Sequence, residues 1–157
     1  MTLTAGALPE WARAYDAPLL AATIRDRPTD FQVTEILGFE LSGCGEHDYL
    51  WVEKTAANTD WVARQLARHA GVRTADVGYA GMKDRHAVTR QWFSVPHREV
   101  SDWASFVAEG VAILDVQRHQ RKLRRGAHKS NMFRIALRTD AAGGMRQPVD
   151  ERLASIA

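Results

Sequence analysis

Six stretches of this chain read as strands, three read as helices, and strands repeatedly follow strands. That order limits the fold more than any other feature of the sequence. The segment around TDFQVTEI alternates at Phe31, Val33 and Glu35 behind Pro28, whose missing N–H suits the entry to a strand. YLWVEK (49–54), VGYAG (77–81) and TRQWFSVP (89–96) come next, the last ended by Pro96. VAILDVQRHQRK and NMFRIALR are two long strands joined by LRRGAHKS. Two helices are interposed. The first has Asn58 as N-cap, Asp60 in its positive first turn, a stripe of Trp61, Val62, Leu66 and Ala70, and Gly71 as its stop. The second is predicted over 101–110 with Ser101 as N-cap, and a third begins at Asp150. The expectation is an α+β fold, a mostly antiparallel sheet with flanking helices, in which residues 1–21 form an N-terminal extension and 22–157 the folded domain.

Charge is spread unevenly. The net formal charge is +2, yet residues 117–138 (QRHQRKLRRGAHKSNMFRIALR) hold six Arg, two Lys and no acid, which leaves the remainder at −6. Such a block is either a solvated basic edge or a strip that grips phosphates and releases their counterions. The rest of the sequence excludes several classes. No apolar run approaches a membrane span, and MTLTAGALPEWARAYD lacks the basic start and apolar stretch of a secretory leader. The single cysteine, Cys44, cannot form an internal disulfide or a thiolate zinc site, so a reducing, cytoplasmic setting is expected. No Walker loop, no HExxH and no paired carboxylates are written here, and the histidines are scattered; neither a metal nor another cofactor is expected.

What remains is Asp84, a lone carboxylate between Lys83 and Arg85 on a turn preceded by Gly78 and Gly81. One reading is a salt-bridged surface loop. The other is a nucleophile or base, kept ionised by its neighbouring cations and projected by the glycines.

GMKDRHAVTRQWFSV resembles the signature loop of the TruD family of tRNA pseudouridine synthases, G-x-K-D-[RK]-x-A-V-T-x-Q, in which the aspartate is catalytic. The upstream run IRDRPTDFQVTEILGFELSGCGEHDYLWVEK is similar to that family's opening segment, and RHQRKLRRGAHKSNMFRIALR to its K-L-R-x-G-x-x-x-x-N-x-F strands. The resemblance implies a pseudouridine-synthase-like fold and an isomerase that turns a uridine in the D arm of tRNA into pseudouridine without a cofactor. Asp84 would be the nucleophile and Arg25 the basic residue paired with it. Lys83 would support the loop, Phe133 would stack on the flipped uracil, and Asn131 would hydrogen-bond nearby. Arg85, Arg121, Lys122, Arg124, Arg125 and Lys129 would hold the RNA. The partner is therefore tRNA and not a membrane.

The family's later motif, G-x-P-N-Y-F-G-x-Q-R-F-G, is not among these 157 residues, nor are its second domain and final strands. The expectation is thus an N-terminal portion of the catalytic domain, incomplete without a C-terminal half. The alternative is a non-catalytic RNA-binding fragment or remnant of the same fold.

Overall fold

The computed structural model describes residues 19–99, 102–140 and 146–156. The chain divides into two compact units, Thr23–Arg138 and a second made of Met1–Ala22 with Thr139–Ala157. The larger unit contains β1 (Phe31–Leu37), β2 (His47–Thr55), α1 (Thr59–Ala70), β3 (Gly78–Tyr79), β4 (Val88–Pro96), β5 (Val111–His119) and β6 (His128–Ile135). In the smaller unit the described helix is α2, Arg146–Ile156.

The sheet runs β5-β2-β4-β1-β6, with β3 added to β4. All pairings are antiparallel except β1 with β4, so the predicted α+β architecture holds with one parallel seam. β5 and β6, adjacent in sequence, lie at opposite edges of the sheet, because the segment between them crosses it rather than closing a hairpin.

Alternation along the strands decides which residues meet. Leu50 and Val52 of β2 and Phe93 and Val95 of β4 share one face, where Val62, Leu66 and Ala70 of α1 cover them. Tyr49 points to the other face and packs with Ala80 and Leu123. A small third cluster, Phe31, Val33 and Ala87, joins the start of β1 to the segment entering β4. Asp30, buried at the head of β1, accepts two hydrogen bonds from the Arg138 guanidinium (2.6 and 2.7 Å) and one from the Arg27 N–H.

Several local expectations are corrected. Asn58 occupies the N-cap of α1 with extended backbone, but its side chain makes no capping bond; the stop at Gly71, at φ 63°, is as predicted. The helix expected over 101–110 is only a 3₁₀ turn, Trp103–Ser105, capped by Asp102 rather than Ser101, which lies outside the described residues. The Trp103 indole N–H donates to buried Asp48 (2.9 Å), an anchor that holds the segment as a turn. α2 begins at Arg146 rather than Asp150, since Pro148 is tolerated in a first turn, where N–H groups have no helical partner.

Candidate active site

The loop between β3 and β4 carries Asp84, and its shape follows from a fork in the sheet. β4 has β1 beside it only over Val88–Arg90, then β3 over Phe93 and Ser94. At the fork the Trp92 N–H is caught by Glu35 Oε1 (3.1 Å). Glu35 Oε2 binds Lys83 Nζ (2.9 Å), and the two side chains are 0% and 5% exposed. A buried pair of this kind fixes geometry more than it adds stability, because both ions are stripped of water.

Three further buried side chains hold the loop backbone. Gln91 Nε2 donates to the Gly81 carbonyl (3.0 Å), while its Oε1 accepts from the Thr59 hydroxyl (3.1 Å). Thr59 Oγ1 in turn accepts from the Lys83 N–H (3.0 Å). Lys54, 0% exposed, donates its amine to the carbonyl oxygens of Asp84 (2.8 Å) and Lys83 (3.4 Å). Burial pushes that amine down to about 8, opposed by the Asp84 charge and reinforced by Lys83.

Asp84 itself is part-exposed, at 28% of its side chain. Its Oδ1 accepts from the His86 N–H (2.9 Å), and its Oδ2 pairs with Arg25 (3.0 Å). Arg25 has φ 62°, a left-handed conformation uncommon for residues other than glycine. The Arg25 guanidinium lies 4.1 Å from the centre of the Phe31 ring, and Phe31 meets Phe133 edge-on at 6.0 Å. Carboxylate, guanidinium and two rings thus form one continuous row.

The cations flanking Asp84 in sequence do not neutralise it, contrary to the expectation. Lys83 is turned inward to Glu35, and Arg85 reaches the Ala56 carbonyl (3.4 Å). Phe133, on an edge strand, is 56% exposed rather than buried. Asn131 sits opposite Glu35 in the β1–β6 register, and its buried Oδ1 has no partner among the described residues. Within the basic strip, Arg121, Arg124, Arg125 and Lys129 are exposed. Lys122 donates to the Ala75 carbonyl (2.6 Å), and Arg125 lies over the Tyr79 ring (4.4 Å).

Sequence reading missed Lys54, Gln91 and Thr59 and took Glu35 for an ordinary strand position. A signal existed. Lys54 continues the inward alternation of Leu50 and Val52, and Glu35 that of Phe31 and Val33, so a charge stands where an apolar residue is due.

The described residues thus form a mixed sheet that presents one braced carboxylate beside an exposed aromatic and a basic strip. The family model for tRNA pseudouridine synthase D (TruD) matches residues 12–157, and the chain belongs to that family. It is 54% identical over 134 residues to the tRNA pseudouridine synthase D of Cellvibrio japonicus, covering 82% of this chain and 40% of that one. For the Methylococcus capsulatus protein of the same name the identity is 49%, over 92% and 41% respectively. A crystal structure from Methanosarcina mazei, described as a tRNA pseudouridine synthase D, superposes with a TM-score of 0.72 at 25% identity, over 86% of this chain and 32% of that one. The chain spans about 40% of the length of these curated relatives. No helix among the described residues is long and apolar enough to cross a membrane.

Proposed function

We propose that residues 22–157 form the N-terminal portion of a pseudouridine synthase catalytic domain, preceded by an extension over 1–21, and that Asp84 is its nucleophile. The target is a uridine in the D arm of tRNA. The row Asp84–Arg25–Phe31–Phe133 carries this reading: it sets a carboxylate held by Arg25 within one row of an exposed ring.

A stacked uridine must leave its helix before its glycosidic bond can be reached. Phe133 offers the extruded base a stacking surface, and Asn131 stands two residues away on the same face of β6, as a hydrogen-bonding neighbour. Asp84 attacks the nucleoside at the uracil ring or at the ribose anomeric carbon. The bond from ribose to N1 breaks, the base turns over, the ribose carbon bonds to uracil C5, and the bond to Asp84 breaks to return the free carboxylate. The C5 proton leaves to water and N1 takes one up, so the product is an isomer of the substrate. Lys54, Gln91, Thr59 and Lys83 keep the loop from shifting, which matters because small misplacements of a reacting group cost large factors in rate. Arg85, Arg121, Lys122, Arg124, Arg125 and Lys129 contact phosphates.

Nucleoside chromatography of treated tRNA tests the substrate assignment: pseudouridine forms in the parent transcript and not in one whose D-arm uridines are replaced by cytidine. Pseudouridine in the substituted transcript would refute it. The partial span relative to the relatives supports a second reading, an RNA-binding portion that turns over only with the rest of the family's length. Its outcome is salt-sensitive tRNA binding with no pseudouridine from this chain alone.

A further inference from the structure

A second concavity lies on the sheet face opposite Lys54 and the Asp84 carbonyl it binds, because Tyr49 at its base alternates away from Leu50 and Val52. Its volume is about 500 Å³, within the range of small-ligand sites. Three rings form its floor. His119 is stacked on Phe39 (5.3 Å, 29°) and meets Tyr49 edge-on (5.1 Å, 77°). Arg121, Lys122 and Arg124 form its rim, and no acid among the described residues lines it.

The site is built rather than incidental. His119 is buried, and its Nδ1 accepts from the Ser42 N–H (3.2 Å), while the Ser42 hydroxyl is spent on the Cys44 carbonyl (2.7 Å). A neutral imidazole that accepts at Nδ1 carries its proton on Nε2, so the ring presents a donor. Burial and the nearby Arg121 and His47 push its titration below the ordinary value, which agrees with a neutral ring. The rim is equally fixed. The Tyr49 hydroxyl donates to the Arg121 carbonyl (2.9 Å), and buried Leu123 donates its N–H to Ser94 Oγ (2.9 Å). Arg121 and Arg124 therefore stand on pinned backbone to either side of Leu123.

We infer that this concavity binds one unpaired nucleotide of the RNA, away from the target uridine, with its base against Phe39 and its phosphate between Arg121 and Arg124. An aromatic floor below an acid-free cationic rim matches the two halves of a nucleotide, a flat π-system and an anion. The assignment rests on the RNA-directed function proposed above, and it adds a grip on a strand that passes the far face of the sheet.

The test is fluorescence anisotropy with a labelled single-stranded oligouridylate, an abasic oligomer of the same charge and free uridine 5′-monophosphate as competitor. Phe39, at 37% exposure, can be changed with little effect on the core. Phe39→Ala should weaken oligouridylate binding by about 5- to 150-fold while leaving the abasic oligomer unaffected, and Phe39→Tyr should restore affinity. Arg124→Gln should weaken both oligomers. Oligouridylate held as tightly by Phe39→Ala as by the parent would overturn the site alone, leaving Asp84 chemistry untouched. Free uridine 5′-monophosphate competing as well as the oligomer would overturn its assignment to RNA. A parent chain with no RNA affinity would overturn both this site and the function on which it rests.

Discussion

Lys54 shows how a single residue can carry two opposed effects. Its amine is stripped of water, which disfavours the charge, yet it supplies the hydrogen bond that fixes the Asp84 carbonyl. The folded-state value of about 8 lies below the ordinary 10.5, so between these pH values the unfolded chain binds a proton that the folded chain does not. Stability attributable to Lys54 therefore rises with pH across that window, and its burial cost is fully present below pH 8. Urea unfolding of the parent and Lys54→Met should show the parent gaining about 3 kcal/mol relative to the variant between pH 8 and 10.5. A difference that stays flat with pH would mean that the amine is not desolvated. At neutral pH the same substitution leaves the Asp84 carbonyl without its donor, a loss of about 1–3 kcal/mol that opposes the relief of the burial cost. The Asp84 loop stood out in the sequence because it has a recognisable pattern. Lys54 and Glu35 showed only as charges at inward positions, and their roles come from partners 30 and 48 residues away.

Among the elements, those dictated by local chemistry were the ones that sequence foretold. α1 has its stripe and its left-handed Gly71, and β4 ends at Pro96 as expected. The segment at 101–110 has helical composition, but Asp48, on β2, holds the Trp103 indole, and tertiary contact prevails over propensity. The parallel seam of β1 on β4 is also non-local, and no alternation pattern announces it. The shortest strand is the most constrained. A methyl group at Gly78 would lie 2.5 Å from Ser94 Oγ and closer still to the Leu123 carbonyl. Gly78→Ala should therefore destabilise the chain by about 1–3 kcal/mol, read from the urea midpoint, and should loosen Arg121–Arg125. An unchanged midpoint would show that the Leu123 segment yields freely.

For the molecule as a whole, charge layout was the most legible property and its arrangement in space the least. The strip of 117–138 splits in the structure: Arg138 is consumed by Asp30, Arg118 reaches Asp48 and the Gly45 carbonyl, and only part of the strip faces outward. If Arg124 and Arg125 contact phosphates, replacing both with Gln should flatten the slope of log K against log salt for tRNA by roughly 1.4 to 1.8. A slope equal to the parent's would remove them from the interface. The same scale holds the central claim, that Asp84 performs the isomerisation on a fold otherwise suited to gripping RNA. The measurement that tests it most directly is tritium release from tRNA labelled at C5 of uracil, with the parent protein beside Asp84→Asn. The account predicts release by the parent and a rate lower by about a thousand-fold or more in the variant, with tRNA affinity retained. Release by Asp84→Asn at the parent's rate would contradict it.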